Sequence, residues 1–533
     1  MAQQHLDRLT STDMGFLEQE SPSAHMHIGG LLLFEGPAPE YDKVRSHIRG
    51  RLHLIPRYRQ KLATPPAGSG RPVWVDDTNF NIDYHVRHTA LPAPGSEAQL
   101  LEMTARIASQ PLDRTKPLWE FWLVEGIEPA IGSNVERFAM ISKNHHALVD
   151  GVSGIDLATV LLDFGPTPTP LDTAELQPWQ PQPEPNTLDL LLANARDGAG
   201  AVVELAERAV SAVTQPGRTV GMMRDAAEGV GEIMWELLNP APETPLNVSI
   251  GPHRRFRVVR QQLADYKTVK NSFGGTVNDV LLTVVAGALG GWLRSRGIST
   301  DGVEMRALVP VSVRARGEEN TLGNRLTVMR GPLPVYIQDP VVRLNTVSRA
   351  MDDLKSSKQA VGASTLVAVN DIAPPAVLAQ ASRLQFSTRL FNLLVTNVPG
   401  PQVPLYILGN KLQDLFPLAF LPTGHALAVA IMSYDGRVEY GLLGDFDALP
   451  DIDVIVEGID TALAELIAAT GKHNGGPGHR HAGAPVAAQA TAPLLPRSLK
   501  RPAGGPAADM RAKRAQTSRR SGRSGKPPQG PPG

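Results

Sequence analysis

Two adjacent histidines, followed at a fixed distance by an aspartate and a glycine, are the residues of this sequence best suited to chemistry. They are His145, His146, Asp150 and Gly151, in the segment NHHALVDG. The preceding residues alternate in polarity like a strand, and the apolar residues that follow recur at helical spacing. A histidine at such a junction can project into a cleft, while the aspartate and glycine shape the turn behind it. Because a neutral imidazole, with a reference pKa of about 6.5, accepts protons near neutral pH, one interpretation is a general base.

The same residues have three other interpretations: a metal site, a hydrogen-bonded triad and a purely structural pair. Adjacent side chains on a strand point to opposite faces, so His145 and His146 make a poor chelate. No second cluster of ligands stands out in the sequence, and we predict no bound metal. In a triad, Asp150 would orient the imidazole that acts as the base.

The HHxxxDG pattern resembles the signature of the CoA-dependent acyltransferase superfamily. In that superfamily the second histidine is the general base, which assigns the role to His146 and leaves His145 as a supporting neighbour. The resemblance also implies that Asp150 forms a structural salt bridge with an arginine and points away from the imidazole. Arg114 and Arg314 are candidate partners. The implied chemistry is acyl transfer from a thioester to a hydroxyl group.

Further segments narrow the resemblance to the bacterial wax ester synthase/diacylglycerol acyltransferase family, over residues 9–470. They are LTSTDMGFLEQE (9–20), PLDRTKPLWE (111–120), TVNDVLL (276–282), ALVPVSVRARGEENTLGNRL (307–326), VTNVPGP (395–401) and SYDGRVEYGLLGD (433–445). The resemblance implies an α/β fold of two chloramphenicol acetyltransferase-like domains, each a mixed sheet flanked by helices. An active-site tunnel would run between the domains, with acyl-CoA entering one side and the acceptor the other.

Each of these family motifs has a structural as well as a functional interpretation. We predict that the PLW motif is a packing corner whose tryptophan anchors the strand behind it. The ND motif opens a long helix, where Asn and Asp are good N-caps, although the resemblance implies that it is needed for activity. The VTNVPGP segment predicts a turn after a buried strand, and in the family this loop lies near the site. It would supply oxyanion or substrate contacts. The residues concerned are Pro117, Leu118, Trp119, Asn278, Asp279 and Asn397.

Length and composition restrict the class of protein to which this chain can belong. A chain of 533 residues, with 42% hydrophobic and 20% charged residues, is typical of a globular protein with two large domains. No apolar run reaches the roughly 18 residues of a membrane span, and the N-terminus lacks a signal-peptide pattern. The absence of cysteine excludes disulfides, thiolate metal sites and a cysteinyl acyl intermediate. We therefore expect a cytoplasmic protein.

The sequence predicts four regions. Residues 1–164 form an N-terminal acyltransferase domain, and residues 246–472 form a C-terminal acyltransferase-like domain. Between them, 165–245 is a Pro-rich linker followed by two helical stretches at 187–238. These helices either cross over on the globular body or rest on a lipid interface.

The fourth region, 473–533, is a basic Pro/Gly/Ala-rich tail that we expect to be disordered. It contains eleven Lys/Arg residues and one acidic residue, so the rest of the chain is strongly acidic. The tail is either a solubilising extension or an adhesive segment for an anionic lipid surface. Nucleic-acid binding is disfavoured because the tail contains no aromatic residue for stacking.

The resemblance predicts a diacylglycerol O-acyltransferase that uses acyl-CoA as co-substrate and no metal or nucleotide cofactor. The alternative acceptor is a long-chain alcohol, which would make the protein a wax ester synthase, and family members often accept both. Two further rivals are a condensation-type acyltransferase acting on carrier proteins and a non-catalytic lipid-surface protein that kept the fold. An apolar acceptor predicts peripheral contact with the inner face of the cell membrane or with lipid droplets.

Overall fold

The computed structural model describes residues 7–66, 70–149, 160–168, 179–193, 238–312, 326–356 and 384–474. These ranges belong to one unit, Met1–Gly476. The predictions for Asp150, Gly151 and Arg314 fall outside the described residues. So do those for most of the crossover helices, although 187–193 is helical, and those for the tail beyond residue 474.

Besides the helical segment 187–193, fifteen strands and eight α-helices can be assigned within the described ranges. The strands are β1 Asp7–Arg8, β2 His27–Glu35, β3 Gln60–Ala63, β4 Val73–Asp76, β5 Val86–Ala90, β6 Trp119–Ile127, β7 Arg137–His145, β8 Arg254–Gln262, β9 Met305–Ser312, β10 Leu326–Leu333, β11 Leu393–Pro399, β12 Tyr406–Ile407, β13 Asn410–Leu418, β14 Leu427–Tyr434 and β15 Arg437–Asp445. The helices are α1 Ser11–Gln19, α2 Tyr41–Arg51, α3 Ile82–His85, α4 Glu97–Ser109, α5 Leu263–Phe273, α6 Val277–Ser295, α7 Pro340–Ser356 and α8 Ile452–Asn474.

Two six-stranded mixed sheets carry the architecture. The first has the order β12-β13-β2-β7-β6-β5 and is antiparallel except for β5 and β6. The second has the order β10-β9-β11-β14-β15-β8, with parallel pairing on both sides of β11. A small antiparallel sheet, β1-β4-β3, lies apart from both. The prediction of an α/β fold with two mixed sheets flanked by helices is therefore confirmed.

The first sheet is completed by strands from the other half of the chain. Strand β13 pairs antiparallel with β2, from Leu412 opposite Phe34 to Leu418 opposite Gly29. Residues 406–418, which lie within the predicted C-terminal range, are thus part of the N-terminal sheet. A single hydrophobic core also contains residues of α4, of both large sheets and of the long helix α6. The two halves share this core.

Local sequence explains where the helices begin and end. The sequence predicts a helix over 96–109, and the structure confirms it: the N-cap of α4 is Ser96, whose hydroxyl accepts the backbone N–H of Gln99 in a complete capping box. A helical pattern over about 41–61 predicts a second helix, but this prediction is too long. Helix α2 ends at Arg51, a 3-10 turn covers Pro56–Arg59, and β3 follows. Proline at the start of that turn cannot continue the hydrogen bonds of α2.

The two large sheets approach each other closely at Gly441 of β15. A Cβ atom at this position would lie 1.9 Å from the backbone oxygen of Pro417 on β13. Beside this approach, the buried Asp414 accepts from Arg260 Nε at 3.1 Å and from Arg437. Only glycine allows the contact, so β13 is in contact with both sheets.

No single helix among the described residues is long and apolar enough to cross a membrane. Helices α5 and α6 together meet a length and composition test, but they are bent by 101° at the break between them.

A buried carboxyl group at this junction makes stability depend on pH. Burial, and then the neighbouring Asp414, raise the pKa of Glu439 to about 8, against an ordinary value of 4.5. The folded protein therefore holds a proton that the unfolded chain releases. The free energy of unfolding should fall as pH rises from about 5 to about 8.

We predict that Glu439→Gln removes most of this slope, because glutamine mimics the protonated carboxyl and can still accept the N–H of Leu415. Urea unfolding over that pH range measures it, with the exposed Glu457→Gln as control. Parallel pH curves for wild type and Glu439→Gln would show that Glu439 is ionised in the folded protein.

Candidate active site

Strand β7 delivers the two histidines to one end of the first sheet. His145 is its last residue, and His146 begins a 3-10 turn, His146–Val149. The backbone N–H of His145 donates to Leu118 O at 3.0 Å, and that of His146 donates to Met26 O at 2.9 Å. The first acceptor directly precedes β6 and the second directly precedes β2, the two strands that flank β7. The two bonds fix the direction in which each side chain leaves the backbone.

The ring of His146 lies against phenylalanines from both halves of the chain. It stacks on Phe16 of α1, with ring centroids 3.8 Å apart, and meets the edge of Phe420 at 5.9 Å. Phe386 contacts both Phe16 and Phe420, at 6.2 and 6.0 Å. We call Phe16, Phe386 and Phe420 the aromatic cluster. It gives His146 an apolar surrounding.

This surrounding changes the acid–base behaviour of His146. Burial, together with the nearby His145, lowers the pKa of the His146 imidazole to about 4, from an ordinary value of 6.5. The ring is consequently neutral near pH 7 and able to accept a proton. A proton placed on it in this apolar site would be released readily.

The ring of His145 points to a different set of groups. Its Nε2 lies 3.3 Å from Glu20 Oε1, and its Nδ1 accepts the backbone N–H of Ala147 at 3.1 Å. The other oxygen of Glu20 accepts from Arg114, at 2.6 and 3.0 Å. Arg114, a candidate partner of Asp150 in the sequence, is thus engaged with Glu20, and the predicted contact with Asp150 lies outside the described residues.

The PLW motif forms a buried corner directly behind the histidines. Leu118 and Trp119 are fully buried, and Trp119 donates from Nε1 to Tyr58 O at 2.8 Å. Its ring stacks on His85 with centroids 4.4 Å apart. Pro117 is also buried, and its backbone oxygen accepts the N–H of Trp119. Since Leu118 O holds the backbone of His145, the geometry is that of a packing corner that supports β7.

The ND motif meets strand β11. Asn397 was predicted to lie in a turn after a buried strand, but it lies within β11 and pairs with Ile431 of β14, so the strand continues through Pro399. Asn397 donates from Nδ2 to Asn278 Oδ1 at 3.3 Å. The predicted capping role holds for Asp279, whose carboxylate accepts the backbone N–H of Thr276 at 2.8 Å in a capping box, but the N-cap itself is Thr276. Asn278 is the second helical residue and not an N-cap. The fully buried Asp279 also accepts from Ser348 Oγ. Among the described contacts, none joins the Asn278–Asn397 pair to His146.

Several site residues carried no individual signal in the sequence. Phe16 and Glu20 lie in the family-like segment 9–20, but nothing local indicated their partners. Phe386 and Phe420 come from the distant C-terminal half.

A small cavity beside Phe420 has mostly apolar walls, and polar side chains from both halves also line it, namely His25, His27, Lys143 and Arg254. No group of three or more potential metal ligands occurs among the residues that the structure describes.

Sequence comparison assigns most of the chain to two adjoining domain families. Residues 9–281 match the wax ester synthase/diacylglycerol acyltransferase catalytic domain, and residues 322–467 match the C-terminal domain of the same proteins. Two proteins of Mycobacterium tuberculosis, each named a probable diacylglycerol O-acyltransferase, are 33% identical to this chain. The alignments span 87% of this chain and 96% and 100% of theirs.

Solved structures agree with these matches. A trichothecene 15-O-acetyltransferase from Fusarium sporotrichioides has the same fold, with a TM-score of 0.53 at 12% identity, covering 87% of this chain and 94% of its own. The chain thus has the two-domain chloramphenicol acetyltransferase-like fold. The wax ester synthase/diacylglycerol acyltransferase from Marinobacter aquaeolei VT8 is 28% identical, with a TM-score of 0.59, covering 87% of this chain and 100% of its own. This chain belongs to the wax ester synthase/diacylglycerol acyltransferase family.

The packing interpretation of Trp119 can be tested with Trp119→Phe. This change keeps a buried ring but leaves Tyr58 O without its donor, which should lower the free energy of unfolding by about 1–3 kcal/mol. Chemical denaturation measures the loss. Activity of the folded variant at low temperature should stay close to that of wild type. Unchanged stability with greatly reduced activity would instead indicate that Trp119 contacts a substrate.

Proposed function

We propose that this protein is a diacylglycerol O-acyltransferase that transfers a long-chain acyl group from acyl-CoA to the hydroxyl of 1,2-diacylglycerol. The products are triacylglycerol and CoA. Family membership and the names of the Mycobacterium relatives support the reaction class and the acceptor. The proposed general base is His146.

The observation that carries the proposal is the neutral ring of His146 against the aromatic cluster. Attack on a thioester is limited by the poor nucleophilicity of an alcohol near neutral pH. A base within hydrogen-bond reach removes the proton as the new bond forms. The aromatic cluster provides an apolar surface suited to the chains of a lipid acceptor.

The proposed reaction proceeds in two steps within a ternary complex. In the first, the diacylglycerol hydroxyl oxygen attacks the thioester carbon while its proton passes to His146. In the second, the tetrahedral intermediate collapses, the C–S bond breaks, and the imidazolium returns the proton to the departing thiolate. The thioester is already activated, so the proposed mechanism uses no metal, nucleotide cofactor or acyl-enzyme. His145 and the PLW corner act by supporting the backbone, and Asp150 and Gly151 remain predicted structural residues of the turn.

The acceptor also implies contact with a lipid phase. Diacylglycerol partitions into membranes and lipid droplets, so the proposed enzyme meets it peripherally, at the inner face of the cell membrane or at a droplet surface. On the helical segment 187–193, Leu188, Leu191 and Leu192 are exposed, which supports such a contact.

The first test is acyl transfer from labelled palmitoyl-CoA by purified protein, with dioleoylglycerol and hexadecanol competing in one tube. We expect labelled triacylglycerol as the main product. His146→Ala should lose at least about 10²-fold in turnover, the usual contribution of a general base, while still folding. Mostly wax ester would assign the alternative acceptor of the family. Unchanged turnover in His146→Ala would overturn the mechanism.

The depressed pKa of His146 predicts the pH dependence of the reaction. The base must be neutral to act, so kcat/KM should fall on the acid side only near pH 4. Initial rates at subsaturating diacylglycerol, measured down to the lowest pH at which circular dichroism shows a folded protein, provide the profile. An acid limb centred near 6.5, the ordinary histidine value, would contradict a base in this apolar surrounding.

A further inference from the structure

Glu20 lies at the centre of the contacts that hold the histidine turn. It follows the last residue of α1, and only 12% of its side chain is exposed. Its Oε1 accepts the backbone N–H of Met26 at 3.1 Å and faces His145 Nε2 at 3.3 Å. Its Oε2 accepts two hydrogen bonds from Arg114. One carboxylate thus joins the end of α1, the start of β2, the end of β7 and the loop before β6.

The contacts of His145 define its tautomer. Because Ala147 donates its backbone N–H to Nδ1, this nitrogen is an acceptor and carries no proton. The proton of the neutral ring is therefore on Nε2, the atom that faces Glu20 Oε1. This buried N–H faces Glu20 Oε1 at 3.3 Å without the geometry of a hydrogen bond, so the contact is electrostatic. The other tautomer would oppose two N–H groups at Nδ1.

Glu20 reaches His146 by two routes. Along the chain, it holds the side chain of the preceding residue, His145. Across the sheet, it holds the N–H of Met26, whose carbonyl oxygen accepts the N–H of His146. The ring of His146 then stacks on Phe16, which lies four residues before Glu20, on α1. A displacement of Glu20 would move every one of these supports.

The environment of Glu20 keeps it ionised. Burial by itself raises its pKa, but the donors that face it, His145 and Arg114, outweigh burial and hold the pKa well below the ordinary value. A charged acceptor binds its donors more strongly than a neutral one.

We propose that Glu20 is a positioning residue for the acyl-transfer reaction. Its carboxylate fixes the tautomer and orientation of His145 and, through His145 and Met26, sets the position of the His146 imidazole. Arg114 acts chiefly by holding Glu20, and it also donates to Leu17 O of α1 at 2.9 Å. This inference rests on the proposed role of His146 as the base.

The test compares Glu20→Ala and Glu20→Gln with a matched control, Glu18→Gln, in the full-length protein. Glu18 is a half-buried glutamate on the same helix, and its carboxylate makes none of the described hydrogen bonds or ion pairs. We expect Glu20→Ala to lower kcat by about 10-fold to 10²-fold, the cost of a displacement of about 1 Å at a reacting group. KM for palmitoyl-CoA should stay unchanged, because Glu20 contacts no substrate in the proposal.

Glu20→Gln should fall between Glu20→Ala and wild type. Its amide oxygen can still accept from Met26 and His145, but its NH₂ group then faces the guanidinium of Arg114. Glu18→Gln should match wild type. Thermal unfolding of each variant identifies the temperature at which all are folded, and kinetics are compared there.

Arg114→Ala supplies a second test, which depends on coupling. In the wild-type background it should lower kcat, whereas in the Glu20→Ala background its further effect should be much smaller, since only the hydrogen bond to Leu17 O then remains to be lost. Additive losses would show that Arg114 acts independently of Glu20 and would overturn that part of the inference.

The outcomes separate this inference from the proposed function. If His146→Ala keeps its activity, the proposed function fails, and the inference fails with it. If His146→Ala is inactive and Glu20→Ala behaves like Glu18→Gln, the function stands and the inference is wrong. A raised KM with unchanged kcat would make Glu20 a binding residue and would also overturn the inference. If Glu20→Ala does not fold, Glu20→Gln against Glu18→Gln decides by the same criterion.

Discussion

Strand β13 pairs with β2 on the side opposite to β7, and the geometry of the histidine site depends on this pairing. The pairing brings a C-terminal strand into the N-terminal sheet, and its hydrogen bonds are strictly directional. Phe420 follows β13 by two residues, so the register of β13 on β2 determines where Phe420 meets His146. The absence of a side chain at Gly441 allows the second sheet to approach the same strand. The two halves are therefore joined at the site by backbone pairing, and the apolar surrounding of the base follows from it.

Glu20 and Glu439, two glutamates with little exposed surface, have opposite protonation states. Glu20 is surrounded by donors, from Arg114, Met26 and His145, and they keep its carboxylate charged. Glu439 lies beside a second carboxylate, and burial raises its pKa to about 8, so that it holds its proton at neutral pH. The difference comes from partners contributed by distant segments, and composition alone would give both residues the same charge.

Most of the secondary structure and the class of chemistry could be predicted from the sequence, because both depend on the spacing of residues within short segments. The strand before the histidines, the helix at 96–109 and the long helix from Val277 follow from periodicity and capping. Strands β12 and β13 were not predicted, and the partners of Glu20 were not either, because pairing across hundreds of residues leaves no periodic signal. The ND motif was expected to supply the N-cap, but Thr276, two residues earlier, has its hydroxyl in the favoured place, and Asp279 caps from the third helical position.

Because β13 pairs within the N-terminal sheet, this sheet can be completed only late in the synthesis of the chain. At about 5–20 residues per second, the roughly 270 residues between His146 and Phe420 occupy the ribosome for tens of seconds. During that interval β2 presents an unpaired edge, which is a template for association with other chains. A nascent or truncated chain that ends before β13 contains both histidines. It lacks Phe420 of the aromatic cluster and the strand that pairs with the edge of β2. Chaperones that cover the edge of β2 until β13 has been synthesised would therefore raise the fraction of chains that fold.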